Sequence, residues 1–170
     1  MDHSHIVTRF DKDLSEIESL LVEMADLVAK QIRDSAKALQ LGDDKLAKTV
    51  TKNDSKINRL EEKIDDKAIR LIALRQPMAE DLRSAITTLK VSNCLERMGD
   101  YAKTLSYRAR KIDDFSAMKS ILRSIAEMSE KIINMLNVVM EAYVNRDLKK
   151  AHDAREADQE INDKTDALFR

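Results

Sequence analysis

Glycine and proline are almost absent. The chain holds two Gly and one Pro in 170 residues, where an average chain of that length carries roughly 12 and 8. That leaves little material for turns, so a many-stranded β protein is excluded and long helices with few connections remain. Tryptophan is missing and cysteine is reduced to Cys94, which rules out a disulfide framework within the chain and a Cys-based zinc site. Charge of one sign is missing too: 30 Lys plus Arg balance 31 Asp plus Glu. A protein that neutralises a phosphate backbone should be visibly basic, so nucleic acid is not an expected partner. The longest apolar stretches, such as Ile132-Ile133 and Val138-Val139-Met140, fall far short of a membrane span. Met1-Asp2-His3-Ser4-His5 has neither a basic nor an apolar leader region. The expectation is a soluble, cytoplasmic protein with no direct membrane insertion.

What is present is helical periodicity. Phe10, Leu14, Ile17, Leu21, Met24, Val28 and Ile32 alternate spacings of four and three, which predicts one helix over about 8–40. Thr8 with Asp11 suggests a capping box at its start, placing His3 and His5 before it. Gly42 supplies a left-handed stop. A second helix is expected over about 44–74, with Leu46, Val50, Ile57, Ile64, Ala68 and Leu71 as its stripe. Pro77 breaks the chain there and suits the first turn of a third helix over about 78–111. A fourth runs over about 117–144 on Ile121, Ile125, Met128, Ile132, Met135, Val139 and Tyr143. A fifth starts near Leu148 on Ala151, Ala154 and Ile161, and it shows no stop signal by Arg170.

The sequence repeats on itself at an offset of 104. Ile17, Glu23 and Met24 meet Ile121, Glu127 and Met128; Ala38, Asp43, Lys45 and Ala47 meet Ala142, Asp147, Lys149 and Ala151; Asp54, Ile57 and Asn58 meet Asp158, Ile161 and Asn162. The unit is three long helices. The expected fold is therefore all-α, five long helices forming two tandem three-helix-bundle repeats, the first over 8–112 and the second, incomplete, over 117–170.

The third helix carries the candidate chemistry. Its early stripe, Met78, Leu82, Ile86 and Leu89, continues at 100° per residue into Asn93, Glu96 and Asp100. The apolar line meanwhile jumps to Val91, Leu95, Met98, Ala102, Leu105, Ala109 and Ile112. Glu96 and Asp100 are i and i+4, so their carboxylates can converge on one cation, with Gly99 leaving room for a close approach. On the second helix Asp54, Asn58, Glu61 and Asp65 run along the flank of the stripe. An all-oxygen set of this kind suits hard cations, iron or manganese. The same spacings also describe a solvated helix edge, and both readings stand. There is no Glu-x-x-His di-iron signature, no Gly-rich phosphate loop and no Ser-His-Asp or Cys-His pair, so no enzyme is expected.

Two signatures resemble those of a known family. Arg75-Gln76-Pro77-Met78-Ala79-Glu80-Asp81-Leu82-Arg83 is similar to the junction between the second and third helices of PhoU proteins. Leu95-Glu96-Arg97-Met98-Gly99-Asp100-Tyr101-Ala102 resembles their Leu-Glu-Arg-Ile-Gly-Asp signature, with Met for Ile. His5-x-x-x-x-Phe10-Asp11-x-x-Leu14 and Asp54-x-x-Ile57-Asn58-x-Leu60-Glu61 are similar as well. The resemblance implies two three-helix repeats and a second acidic motif that would fall beyond Arg170, and so a sequence truncated at its C-terminus relative to the family. It implies a cytoplasmic negative regulator of phosphate uptake and of the phosphate-starvation response. Its partners would be the ATPase subunit of a phosphate ABC transporter and a phosphate-sensing histidine kinase. Independently of the resemblance, the apolar faces of the fourth and fifth helices, left without a third helix to cover them, predict a homo-oligomer. The resemblance also implies an iron, manganese or zinc cluster on Glu96 and Asp100 with Asp54 and Glu61, Asp158 standing as the counterpart of Asp54 in the second repeat. The competing reading is a structural helical-bundle or coiled-coil oligomerisation module without a phosphate role; the jump of the stripe in the third helix speaks against it.

Overall fold

The computed structural model describes residues 3–112, 115, 118–156 and 158, with side chains from residue 10 onward. Every regular element among them is an α-helix: α1 His3–Leu41, α2 Asp44–Arg75, α3 Ala79–Ala109, α4 Lys119–Asn145, and α5, helical over 148–156. The long apolar periods and the scarcity of breakers leave the chain no other way to bury its surface. Two expectations at the N-terminus fail. α1 starts at His3, so Thr8 and Asp11 lie inside the helix rather than capping it, and His3 and His5 are helical. The rest of the α5 stripe, Ile161 included, lies outside the described residues, as does Asn162.

The turns follow their residues. Gly42 takes φ 63°. The Asp43 N–H then donates to the Ala38 carbonyl at 3.0 Å, and Asp43 Oδ1 accepts from the Leu46 N–H at 2.9 Å, closing α1 and opening α2 with one residue. The same device recurs 104 residues on. Arg146 takes φ 53°, the Asp147 N–H donates to the Ala142 carbonyl at 2.9 Å, and Asp147 Oδ1 accepts from the Lys150 N–H at 3.0 Å. The second repeat thus reproduces the turn with an arginine where glycine stands in the first. Pro77 lies just before α3 rather than in its first turn, and the backbone around it is strained: Gln76 and Ala79 both adopt positive φ, 47° and 46°.

The helices pack into two compact units. Unit one contains the described residues of 1–28 and 55–98; unit two contains those of 29–54 and 99–170. This partition runs across α1, α2 and α3.

In unit one the stripe of α1 from Phe10 to Val28 is buried, as expected, together with Ile57, Ile64, Ala68 and Leu71 of α2. Each large side chain of this kind stabilises by about 1.5–3 kcal/mol through burial. Lys67 Nζ meets Glu16 Oε2 at 3.0 Å and Arg75 Nη2 meets Asp13 Oδ2 at 2.9 Å, tying α2 to α1. The Ser92 hydroxyl reaches the sulfur of Met24 at 3.8 Å, tying α3 to α1.

Unit two buries Leu39, Ala109 and Leu122 in one cluster, with Leu105, Ile112, Phe115, Met118 and Ile125 against it. Phe115 closes over the turn: a Cβ on Gly42 would stand 3.1 Å from its ring. The buried side of α4 is Leu122, Ser129, Ile133, Leu136, Met140 and Ala142. The expected stripe lies beside this face, with Ile121 and Val139 exposed and the rest half-buried. α4 is apolar on more than one side, so hydropathy alone cannot choose between its faces.

The largest departure is in α3. Its buried line is Ala85, Thr88, Ser92, Leu95, Gly99, Ala102, Ser106 and Ala109, an unbroken alternation of three and four. There is no jump. Met78 and Ile86 are exposed and Leu82 and Leu89 half-buried, because small side chains let a helix approach its neighbours closely. Thr88 satisfies its hydroxyl on the Ser84 carbonyl at 3.0 Å. With the line continuous, the jump no longer argues against a coiled-coil module. That argument passes to the three-way packing of α1, α2 and α3 within each unit.

Enlarging this line should therefore hurt more than shortening the side chains beside it. We expect Ser92→Leu to cost about 1–3 kcal/mol by overpacking, and Ile86→Ala to stay within about 0.5 kcal/mol, both read from urea unfolding midpoints.

Candidate functional site: a buried carboxylate with a lysine partner

On α2, Asp54 does not lie on the flank. It follows Val50 by four residues and precedes Ile57 by three, and it is 3% exposed, in the middle of the buried stripe. A charge removed from water must be paired and hydrogen-bonded. Unit two supplies both partners. Gln31 of α1, itself buried, donates through Nε2 to Asp54 Oδ1 at 3.0 Å and also to the Gly99 carbonyl of α3 at 3.0 Å. Lys103 of α3 donates through Nζ to Asp54 Oδ2 at 2.7 Å and to Asp100 Oδ1 at 3.2 Å. Three helices thus meet in one polar node, and the close approach expected at Gly99 is made by an amide side chain. The hydrogen bond to Asp54 raises the Lys103 pKa, burial opposes it, and Asp100 adds to the rise.

Spacing and residue type alone do not single out Lys103 or Gln31. A lysine one turn beyond an acidic pair reads as solvated, and a glutamine in an apolar helix carries no chemical signature. The available signal is positional: Asp54 and Gln31 both take stripe positions, and two polar residues at core spacing need each other.

In unit one, Glu61 and Glu96 are half-buried and each has an interaction partner. Asn58 Oδ1 is buried without a hydrogen bond. Burial raises the Asp65 pKa, with Asp66 adding to it. At the α2–α3 junction Arg75 is bonded to Asp13, Pro77 is half-buried, and Gln76, Asp81 and Arg83 are exposed, with Asp81 in the first turn of α3. The same junction exposes Leu74 (67%) and Met78 (80%). Asp158 is exposed and has a partner of its own. A groove of about 560 Å³ in unit two is lined by Arg33, Lys37, Arg123, Glu127 and Glu130. Arg33–Glu130 and Arg123–Glu127 pair within it, and with Lys37 these five side chains sum to a charge of +1.

As a metal centre the expected set does not fit in this arrangement. Among the described residues no group of three or more His, Cys, Asp or Glu is placed to hold an ion. Both Asp54 oxygens already accept hydrogen bonds. Even zinc, the least demanding of the expected metals, takes four ligands, and the carboxylates that share a cation here are Asp54 and Asp100.

An all-α protein of antiparallel helices held by a buried inter-helix carboxylate, with an acidic signature on its third helix, defines a helical-bundle scaffold class. The PhoU domain family matches residues 21–109 and 125–170, and this chain belongs to it. It is 36% identical over 166 residues to the "Phosphate-specific transport system accessory protein PhoU homolog" of Caulobacter vibrioides, covering 98% of this chain and 72% of that protein. It is 34% identical over 170 residues to the homolog of Rhizobium meliloti, again covering 72% of it. The crystal structure of PhoU from Pseudomonas aeruginosa superposes with a TM-score of 0.87 at 29% identity, covering 95% of this chain and 77% of that one. PhoU from Streptococcus pneumoniae gives 0.86 at 25%, covering 94% and 74%.

Two outcomes follow for the node. Asp54→Ala should cost about 1.5–3 kcal/mol, the range for hydrogen bonds to charged groups, while Asp100→Ala, at a half-exposed ion pair, should cost no more than about 1 kcal/mol; thermal melts at pH 7 decide. The raised Lys103 pKa also sets a pH window. A group whose pKa is higher folded than unfolded stabilises fully below its unfolded value and loses that contribution as pH rises through the folded one. Stability from Lys103 should therefore hold to the ordinary lysine value of 10.5 and fall above it, and Lys103→Met should flatten that alkaline fall in denaturant titrations.

Proposed function

We propose that this protein is a cytoplasmic negative regulator of phosphate uptake and of the phosphate-starvation response, an adaptor between a phosphate ABC transporter and its sensor histidine kinase rather than an enzyme. The observation that carries this is the match along nearly the whole chain to proteins named as accessories of the phosphate-specific transport system. No helix among the described residues is long and apolar enough to cross a membrane, which suits a partner that acts on a membrane complex from its aqueous side. The contact surface we assign to the transporter's ATPase subunit is the α2–α3 junction. Leu74 and Met78 stand exposed there, beside the Arg75–Asp13 pair and next to the positive-φ residues Gln76 and Ala79. Strain of that kind persists where the surrounding structure enforces it and clusters at sites of function.

In a strain lacking this protein and any paralogue, phosphate-starvation genes should stay on in rich phosphate, and the protein supplied in trans should restore repression. Normal repression in the deletion strain would end the regulator reading. Leu74→Glu with Met78→Glu should fold normally, since both positions are exposed, yet lose capture by the ATPase subunit in pull-downs. Undiminished capture would move the contact surface elsewhere.

A further inference from the structure

We propose that Lys103 is the resident cation of the Asp54–Asp100 pair, standing where a metal ion would otherwise be held, so that part of the pair's negative charge is offset from within. The proposal goes beyond the regulatory reading and does not rest on it.

The first support is geometric. The Lys103 ammonium is 2.7 Å from Asp54 Oδ2 and 3.2 Å from Asp100 Oδ1, bridging one carboxylate from α2 and one from α3. An ammonium has three donors and no acceptor, so it fits a site made of carboxylate oxygens. The second support is the orientation of Gln31. Its Nε2 faces both Asp54 Oδ1 and the Gly99 carbonyl, two acceptors. Turning the amide over to present oxygen to a metal would set three acceptors against one another and forfeit both hydrogen bonds. The Gln31 amide is thus held with its donor side inward. The third support is charge. An ion entering beside Asp54, whose side chain is 5% exposed, would stand against a lysine ammonium fixed at hydrogen-bond distance of that carboxylate. The donor count agrees, because no group of three or more ligating side chains converges among the described residues.

The test uses the whole protein, stripped with chelator and re-exposed to excess Mn²⁺. Wild-type protein should emerge from gel filtration without stoichiometric manganese, and Mn²⁺ should leave its Tm unchanged. Lys103→Ala should bind Mn²⁺ at least about tenfold more tightly, because the opposing charge is gone, and its Tm should rise with added Mn²⁺. Wild-type protein that retains one equivalent, lost in Asp54→Asn or Asp100→Asn, overturns the proposal. So does a folded Lys103→Ala variant that gains no affinity. Should Lys103→Ala fail to fold, wild-type protein labelled with ¹⁵N-lysine decides, with Lys103→Arg assigning the signal. A Lys103 ammonium resonance undisturbed by paramagnetic Mn²⁺ supports the resident lysine, and its broadening refutes it.

Discussion

The burial of one charge governs how the helices of unit two meet. Asp54 takes a position in the α2 stripe that hydropathy would give to leucine. A carboxylate left there alone would be intolerable, since the cost of an unpaired buried charge exceeds what any neighbouring contact returns. Gln31 and Lys103 must therefore come from two other helices and arrive in register. A slide of α3 by one residue would take Lys103 out of reach and turn the Gly99 carbonyl away from Gln31. The node fixes the register of three helices, whereas an apolar contact tolerates a shift.

Small residues make that register attainable. Gly99, Ala102 and Ser106 flank the node on α3 and are all buried. A helix that presents leucines packs with its axis about 8–10 Å from its neighbours, and the spacing shrinks as the side chains do. Only a short distance allows an amide side chain on α1 to reach a backbone carbonyl on α3. The cost shows at Ser106, whose buried hydroxyl has no partner. The lysine answers to the same geometry, since its long stem brings an ammonium to a carboxylate from a half-exposed starting point.

The family's functional vocabulary and the local chemistry meet at this node without coinciding. The Leu-Glu-Arg-Met-Gly-Asp signature on α3 supplies Gly99 and Asp100 to it, while Glu96 belongs to unit one. A motif that reads as one acidic cluster along the sequence is, in space, shared between two packing environments. The exposed apolar tip at Leu74 and Met78 is the opposite case. Nothing in the packing of unit one needs those side chains, and their exposure suits contact with another protein.

Much of the fold was legible in the residues. The α1 stripe, the stop at Gly42, the break at Pro77 and the recurrence of the turn at Arg146 and Asp147 all follow from local rules: helical period, left-handed freedom of glycine, the missing N–H of proline. These act within a few residues, so sequence determines them. Tertiary structure decided the rest. It chose the face of α4, because that helix is apolar on more than one side. It chose the small-residue line of α3 over the larger side chains beside it, because helix spacing depends on what both partners present. It also turned Asp54 inward and made Lys103 its partner. A carboxylate at stripe spacing can face solvent or core, and the choice depends on whether a cation from another helix, 49 positions further along the sequence, arrives to meet it.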